Sequence, residues 1–439
     1  MERRAFFKGL LASGVALEAI PRSVSAMGSK GPRPVEEQLG QLATDVSDLA
    51  VGDGGLWQRV RREFQMSDNV IHMNNGSIGA SPRVVTDGIV EALGLLEADP
   101  YHNTWGGLGA QMETVRQKAA TFIGADLDEV SLVRNCTEGM NNIATGLDLE
   151  PGDEILTTNH EHGGGMACWQ YLRQYRGIKV NYLKMPNPVK DSAQLVRLVE
   201  QHLTPRTRVC SFMHADTITG LQMPMADIAA VTRPRDILLV CDAAQTPGML
   251  DVDVRRLGVD AMASSSHKWL LAPKGTGILY IRKQAQDRIH PLSLLKGYMA
   301  YSGSGGTRDV AGILGHGVAI DFHNALGKAR IEARCRALSM RVRGHLRQIP
   351  RLRLLTPDQP ELSSGIVTFA VDGMTNSEVH KRLWDEHSIA AKVAQGTYVY
   401  TEVQGELGES YNCLRFSTHI YNDETQVDQL AEALTSILA

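Results

Sequence analysis

The sequence predicts an α/β protein on a mostly parallel, doubly wound sheet, followed by a smaller second domain. Three observations lead there. Short apolar runs closed by turn residues alternate with helical stretches through most of the chain. The 439 residues, 43% of them apolar, suffice to bury a large core. Glycine is plentiful at 42 residues while aromatics make up only 5%, a balance that suits many backbone turns. Sheets of this kind are covered by helices on both faces, and their ligands gather beyond the carboxyl ends of the strands.

Taken in order, residues 1–26 read "MERRAFFKGLLASGVALEAIPRSVSA". The Arg3-Arg4 pair, Phe6, Lys8 and the small residues Val24-Ser25-Ala26 predict a twin-arginine export signal; a basic amphipathic helix is the competing reading. Residues 27–70 form a Gly/Pro-rich leader and a helix on "LWQRVRREFQM". Residues 71–316 hold the large domain. Strands are expected on "EVSLVRN", "DEILTTN", "IKVNYLKM", "TRVCSFMH", "DILLVCDAA" and "GTGILYIRK", with helices on "ETVRQKAATFIGA", "GGMACWQYLRQYR", "DSAQLVRLVEQHL" and "PMADIAAVTR". Residues 317–439 form a small α+β domain. It begins with one long helix from about Gly317 to Gln348 and continues through "SGIVTFAVDG", "TNSEVHKRLWDEH", "IAAKV", "CLRFSTH" and a final helix.

Charge excludes some partners. The 45 basic and 49 acidic residues give a net charge of -4 without a long basic run, so no nucleic-acid footprint is indicated. Beyond the leader no stretch approaches the ~18 apolar residues of a membrane span. Cys136, Cys168, Cys210, Cys241, Cys335 and Cys413 are scattered without a CxxC pair, and buried small apolar residues are the expected role for most of them.

The strand ends carry the chemistry. Asp242 closes the apolar run "DILLVCD", with Gln245 just beyond; a carboxylate desolvated there needs a partner, such as a protonated pyridine nitrogen, or else caps a helix. Lys268, in "SSSHKWLLAPKGTG", follows small and apolar residues that would desolvate its ammonium and lower its pKa, as a Schiff-base lysine requires. Lys274 sits in a Pro-Lys-Gly turn and reads as solvated. Thr137, Glu138 and Gly139 stand at a helix start, where free N–H groups make an anion site or Thr137 is simply the cap. His160 and His162 follow another strand, and His214 with Asp216 a third. Their histidines offer a metallohydrolase reading, but Gly164 breaks the zinc-protease spacing. The loop "GSGGTRD" with Thr307 is a weak phosphate cradle and, lacking a preceding strand, no dinucleotide fingerprint.

In combination, "NNGSIGASPRVV", "NCTEGMN", "NHEHGGGMACW", "CDAAQTPGM", "SSSHKWLLAPKGTGILY", "GGTRD" and "LRFSTHIYND" resemble the class V family of pyridoxal-phosphate (PLP) enzymes in the aminotransferase superfamily, and within it the isopenicillin N epimerase-like branch. The resemblance runs from about Asn74 to the C-terminus. It implies a fold-type I architecture with a seven-stranded sheet. It makes Lys268 the Schiff-base lysine that moves protons at the substrate α-carbon, and pairs Asp242 with the pyridine nitrogen. Gln245 would contact the ring oxygen, Asp216 the ring, and His162 would stack on it. Thr137, with the backbone at Glu138, and His267 would hold the phosphate; Ser266 is adjacent. Thr307 would reach the phosphate of a neighbouring subunit, which implies a homodimer with shared active sites. Arg415 would clamp the substrate α-carboxylate and Asn75 would line the substrate side. Tyr101, His102, Asn103, Trp105 and Tyr398 are candidates for shaping the pocket.

One departure matters. Cysteine desulfurases of this family carry a cysteine on a loop before the carboxylate-binding arginine; the corresponding stretch here, "AQGTYVYTEVQGELGESYN", has none, which disfavours persulfide chemistry. The resulting expectation is an exported PLP enzyme acting at the α-carbon of a small amino-acid or peptide-like substrate, by amino-group transfer. Epimerase or β/γ-lyase chemistry is the alternative within the family, and a His160/His162/His214 metallohydrolase or a catalytically dead binding module the alternatives outside it.

Overall fold

The computed structural model describes residues 33–47, 54–303, 305–395 and 412–439, so the export-signal segment 1–26 and Tyr398 lie outside the described residues. From Val35 to Ala439 the chain forms one compact unit. Its strands, in chain order, are β1 (Ile71–His72), β2 (Val130–Val133), β3 (Glu154–Thr158), β4 (Lys179–Leu183), β5 (Thr207–Met213), β6 (Leu238–Asp242), β7 (Ala261–Ala263), β8 (Gly277–Ile281), β9 (Leu352–Leu354), β10 (Ile366–Val371), β11 (Ile389–Ala390), β12 (Lys392–Gln395) and β13 (Asn412–Ser417).

The main sheet has seven strands in the order β2-β8-β7-β6-β5-β3-β4. β4, β3, β5, β6 and β7 run parallel; β8 is antiparallel to both its neighbours. Every residue of β2, β3, β6, β7 and β8 is buried, the signature of strands covered on both faces. Alternation assigns the faces. Leu238 and Val240 of β6 join Met140, Met166 and Trp169 from the helices Cys136–Gly146 and Gly163–Arg176. Leu239 and Cys241 join the opposite core, which includes Phe122, Ile228 and Phe322. Asp242, next in the alternation, therefore falls on the face of the first two helices.

A second sheet of four antiparallel strands, β12-β13-β10-β9, packs on the helices Lys328–Leu346, Asn376–His387 and Glu424–Leu438. β1 runs parallel to β11, tying the segment before the main sheet to this C-terminal part. Two expectations need correction. The long helix expected over 317–348 is two helices, Val310–Leu326 and Lys328–Leu346, separated by Gly327 at φ 87. "IAAKV" is likewise two short strands, β11 and β12, in different sheets. All six cysteines are buried and free.

The turn after β6 is pinned against the segment that follows Lys268. Gly248 has φ 92, and a Cβ there would meet Trp269 O at 2.3 Å and Leu270 N at 2.4 Å, backbone atoms that cannot swing away. Gly248→Ala is predicted to lower stability by about 1–3 kcal/mol from backbone strain alone, plus the clash. Urea denaturation of the two proteins measures it; an unchanged midpoint would contradict the packing.

Candidate active site

The site is built from strand ends. Asp242 ends β6 and is 6% exposed. Its Oδ1 accepts hydrogen bonds from Ala244 N–H (3.0 Å) and from the Cys136 thiol (3.2 Å). Oδ2 has no hydrogen bond among the described residues and faces Gly165, where a Cβ would stand 2.3 Å away. Burial first, then Asp242, pushes the Cys136 thiol well above its usual pKa, so it stays a proton donor. Gly164 is equally tight: its Cβ would meet Thr137 Oγ1 at 2.4 Å. The glycine run after His162 thus keeps a flat space clear beside Asp242 and Thr137.

The helix Cys136–Gly146 starts there, and Asn135 is its cap: Asn135 Oδ1 accepts from Glu138 N–H at 2.9 Å. Thr137, exposed and not the cap, is left with its hydroxyl at the helix start, the positive end of the helix dipole. The Glu138 carboxylate is engaged by Arg134 and by Gly303 N–H. His162 caps the helix Gly163–Arg176, accepting Gly164 N–H on Nδ1 at 3.0 Å. Desolvation, then the nearby Lys268, Arg415 and Lys392, outweigh Asp242 and lower the His162 pKa, which favours a neutral ring. His267 Nδ1 and Ser266 Oγ are buried polar atoms without a partner.

Lys268 lies beyond β7. Its pKa is lowered, first by burial and then by Arg415 and Lys392, with Asp242 and Cys136 pulling the other way. Among the described residues its ammonium has no hydrogen-bond partner. The loop after β1 lies on the lysine's backbone: Gly79 N–H donates to His267 O (3.0 Å), and a Cβ on Gly79 would meet Lys268 O at 2.1 Å. Lys274 is exposed, as expected of a turn lysine, and it also donates to Gly79 O at 2.9 Å.

Arg415 on β13 approaches from the second sheet and is 3% exposed. Its guanidinium donates to Thr217 Oγ1, to Asn74 Oδ1 at 3.1 Å and to Ser77 Oγ at 2.8 Å, all neutral oxygens. Sequence reasoning missed Thr217, Asn74, Ser77 and Lys392. It also passed over Glu161, buried between the two histidines, which accepts from Thr158 Oγ1 (3.0 Å) and Met213 N–H (3.1 Å). Desolvation first, then Asp242, raises its pKa well above the usual carboxylate value, which favours the protonated form.

Other predicted residues are otherwise occupied. Gln245 donates to Gly76 O (2.9 Å) and accepts from Trp269 Nε1 (2.7 Å). Asp216 accepts from Ile218 N–H (2.7 Å) and Thr219 Oγ1 (2.5 Å) within its own turn, and meets His160 Nδ1 at 2.7 Å. Asn75 accepts from Tyr421 OH (2.8 Å), while its Nδ2 is buried without a partner. His214 bonds Thr246 Oγ1 at 3.0 Å, and burial lowers its pKa to about 4. Thr307 is exposed. Tyr101 and Trp105, at 68% and 70% exposure, stand on the surface helix Pro100–Trp105. Among the described residues no three or more His, Cys, Asp or Glu side chains are grouped to share a metal ion.

Comparison with known proteins decides the family. The aminotransferase class-V model matches residues 80–430. The chain belongs to the class-V aminotransferase family. Class-V members are PLP-dependent, and this one is an enzyme of that class. Isopenicillin N epimerase of Streptomyces clavuligerus is 31% identical over 410 residues, covering 89% of this chain and 99% of that protein. A probable cysteine desulfurase of Methanothermobacter thermautotrophicus is 27% identical over 401 residues, covering 86% and 97%. Among solved structures, the apo cysteine desulfurase of Thermococcus onnurineus NA1 superimposes with a TM-score of 0.75 at 24% identity, covering 87% of this chain and 98% of that one. The fold is therefore the fold-type I architecture. A further neighbour, a mutant of the cystine C-S lyase C-DES with glycine covalently linked to the PLP cofactor, has TM-score 0.74 at 24% identity over 85% of this chain and 98% of its own.

The residues here fit that cofactor. The glycine run leaves room for a flat ring, Asp242 Oδ2 accepts from no donor among the described residues, and His267 Nδ1 and Ser266 Oγ are buried and unsatisfied. Because only the neutral amine attacks an aldehyde, the cofactor-free protein is predicted to take up PLP faster as pH rises through the lowered Lys268 pKa. Arg415→Gln, which removes a cation that pushes this pKa down, moves the midpoint to higher pH. Stopped-flow absorbance across pH measures both; a midpoint moving to lower pH in the variant contradicts the assignment.

Proposed function

We propose that this class-V enzyme transfers the amino group of a small amino-acid or peptide-like substrate. The observation that carries the reading is the convergence of Lys268, Asp242 and Arg415, close enough for Asp242 and Arg415 to act on the charge of Lys268. Bound PLP supplies the electron sink for charge that develops at the substrate α-carbon. Asp242 Oδ2 would face its pyridine nitrogen, His162 would cover the ring, and Gln245 and Asp216 would stand beside it. Thr137, the Glu138 backbone and His267 would hold the phosphate, with Thr307 contributed to the partner of a homodimer. Arg415 would take the α-carboxylate in the bidentate geometry guanidinium suits, with Asn75 on the substrate side.

The protein's own groups then handle protons. Lys268, with its lowered pKa, has a usable neutral fraction and can accept the α-proton as a general base. A single base returns protons to one face, which favours amino transfer over inversion. Epimerisation is the second reading, favoured by the neutral His162 at the same opening and by the named activity of the two relatives that are 31% and 30% identical. Elimination of a β or γ group needs the same residues. Persulfide transfer is the named activity of the relatives described as probable cysteine desulfurases, but Cys413 is 0% exposed on the strand of Arg415, which disfavours it here.

The test is product analysis. Incubated with a panel of L-amino acids, the purified enzyme is expected to release the matching 2-oxo acid in amounts stoichiometric with cofactor converted to its amine form. Accumulation of the D-enantiomer without oxo acid would sink amino transfer in favour of epimerisation. Export by the twin-arginine route belongs to the same proposal, supported by Arg3, Arg4, Phe6 and Lys8. Replacing both arginines (Arg3→Lys, Arg4→Lys) is expected to hold the protein in the cytoplasmic fraction; unchanged export of the double variant contradicts the signal.

A further inference from the structure

Cys136 stands where three parts of the site meet. It is the first residue of the helix Cys136–Gly146, so its backbone N–H has no partner within the helix. Ser265 Oγ accepts that N–H at 3.0 Å, tying the helix start to the segment that leads from β7 to Lys268. With its backbone held there, the side chain, 4% exposed, reaches the end of β6. Its Sγ lies 3.2 Å from Asp242 Oδ1 and 3.2 Å from the carbonyl oxygen of Ala263, the last residue of β7.

A thiol has one proton for these two acceptors. Ala263 O already accepts the Ala243 N–H at 2.9 Å, and a neutral carbonyl is a weaker acceptor than a carboxylate. The proton therefore goes to Oδ1. Ala244 N–H reaches the same oxygen at 3.0 Å from the turn that follows β6. Two donors on one oxygen fix the plane of the carboxylate, and the other oxygen is left toward Gly165. Only one of these donors comes from a side chain. Asp242 also attracts Lys268, so a carboxylate released by the thiol is free to rotate, with that ammonium as a competing partner.

We propose that Cys136 is a positioning residue: its thiol holds Asp242 Oδ1 so that Oδ2 is presented, already aligned, to the pyridine nitrogen of the cofactor. This deepens the reading above in which Asp242 Oδ2 faces that nitrogen, and rests on it. An alignment fixed before the ring arrives costs no ordering on binding. Its loss is therefore felt by a ring that carries the nitrogen and not by one that lacks it. Packing alone makes no such distinction, because a cavity at position 136 or a shifted helix start weakens both rings alike.

Calorimetric titration of the cofactor-free protein tests this with two ligands that form no bond to Lys268. One is pyridoxamine 5′-phosphate; the other is its 1-deaza analogue, with a C–H in place of the ring nitrogen. The wild type is expected to bind the nitrogen-containing ring more tightly. Cys136→Ala and the volume-filling Cys136→Val are expected to weaken that ring by about fivefold or more and the deaza ring by less than about twofold. Cys136→Ser, which keeps a donor, is expected to stay within about twofold of the wild type for both. Equal weakening of the two rings, an unchanged affinity in Cys136→Ala, or a serine variant no better than alanine would overturn the proposal and leave Asp242 facing the nitrogen. A wild type that binds both rings equally would contradict that facing, and the proposal with it.

Discussion

The structure turns on one buried carboxylate. Asp242 sits at the end of a strand covered on both faces, in surroundings where an unpaired charge costs several kcal/mol. One of its oxygens is saturated by the Ala244 N–H and the Cys136 thiol; the other is kept clear by a glycine that has no space for a side chain. That asymmetry defines a direction. A cationic ring nitrogen at Oδ2 would complete the pairing that the fold leaves open, and the carboxylate would in turn hold positive charge on the ring. The parallel strand order makes this reproducible, because it brings β5, β6 and β7 to the same edge and places the loops that follow them around Asp242.

Around this acid the site is cationic. Lys268 feels both Arg415 and Lys392, and burial raises the pKa of the neighbouring Glu161. Burial first, then these cations, lowers the proton affinity of Lys268, as a nucleophilic and proton-carrying amine requires. The consequence for ligands is attraction of anions, which suits a phosphate at the helix start near Thr137 and carboxylates at the other end. Rigidity comes from neutral contacts: Gln245 locks the Gly76 loop to Trp269, and Thr217, Asn74 and Ser77 orient the guanidinium.

Much of this was legible in the chain. Continuous apolar runs announced the strands buried on both faces, and the residues just past them, Asp242, His162, Thr137 and Lys268, stand where parallel sheets gather ligands. What was not legible came from partners distant in sequence. β7 is only three residues long, Ala-Met-Ala, and has no strand signature of its own; the antiparallel sense of β8 depends on its neighbours β7 and β2. Gly327 broke a helix whose apolar pattern ran on, because a φ of 87 ends it. Thr137 looked like a cap, but Asn135, two residues earlier, holds that position. The "DTITG" stretch carried a turn signal that Asp216 fulfils by bonding its own backbone. Lys392 had no local mark at all; its meaning lies in the register that sets it opposite Arg415.

The account stands on Lys268 as the covalent attachment point facing Asp242. Borohydride reduction of the purified enzyme followed by peptide mapping tests it most directly. The predicted result is one phosphopyridoxyl group on the peptide containing Lys268, with none on Lys274. Modification of Lys274 or Lys392 instead, or an unmodified Lys268 in protein that carries the cofactor, would contradict it.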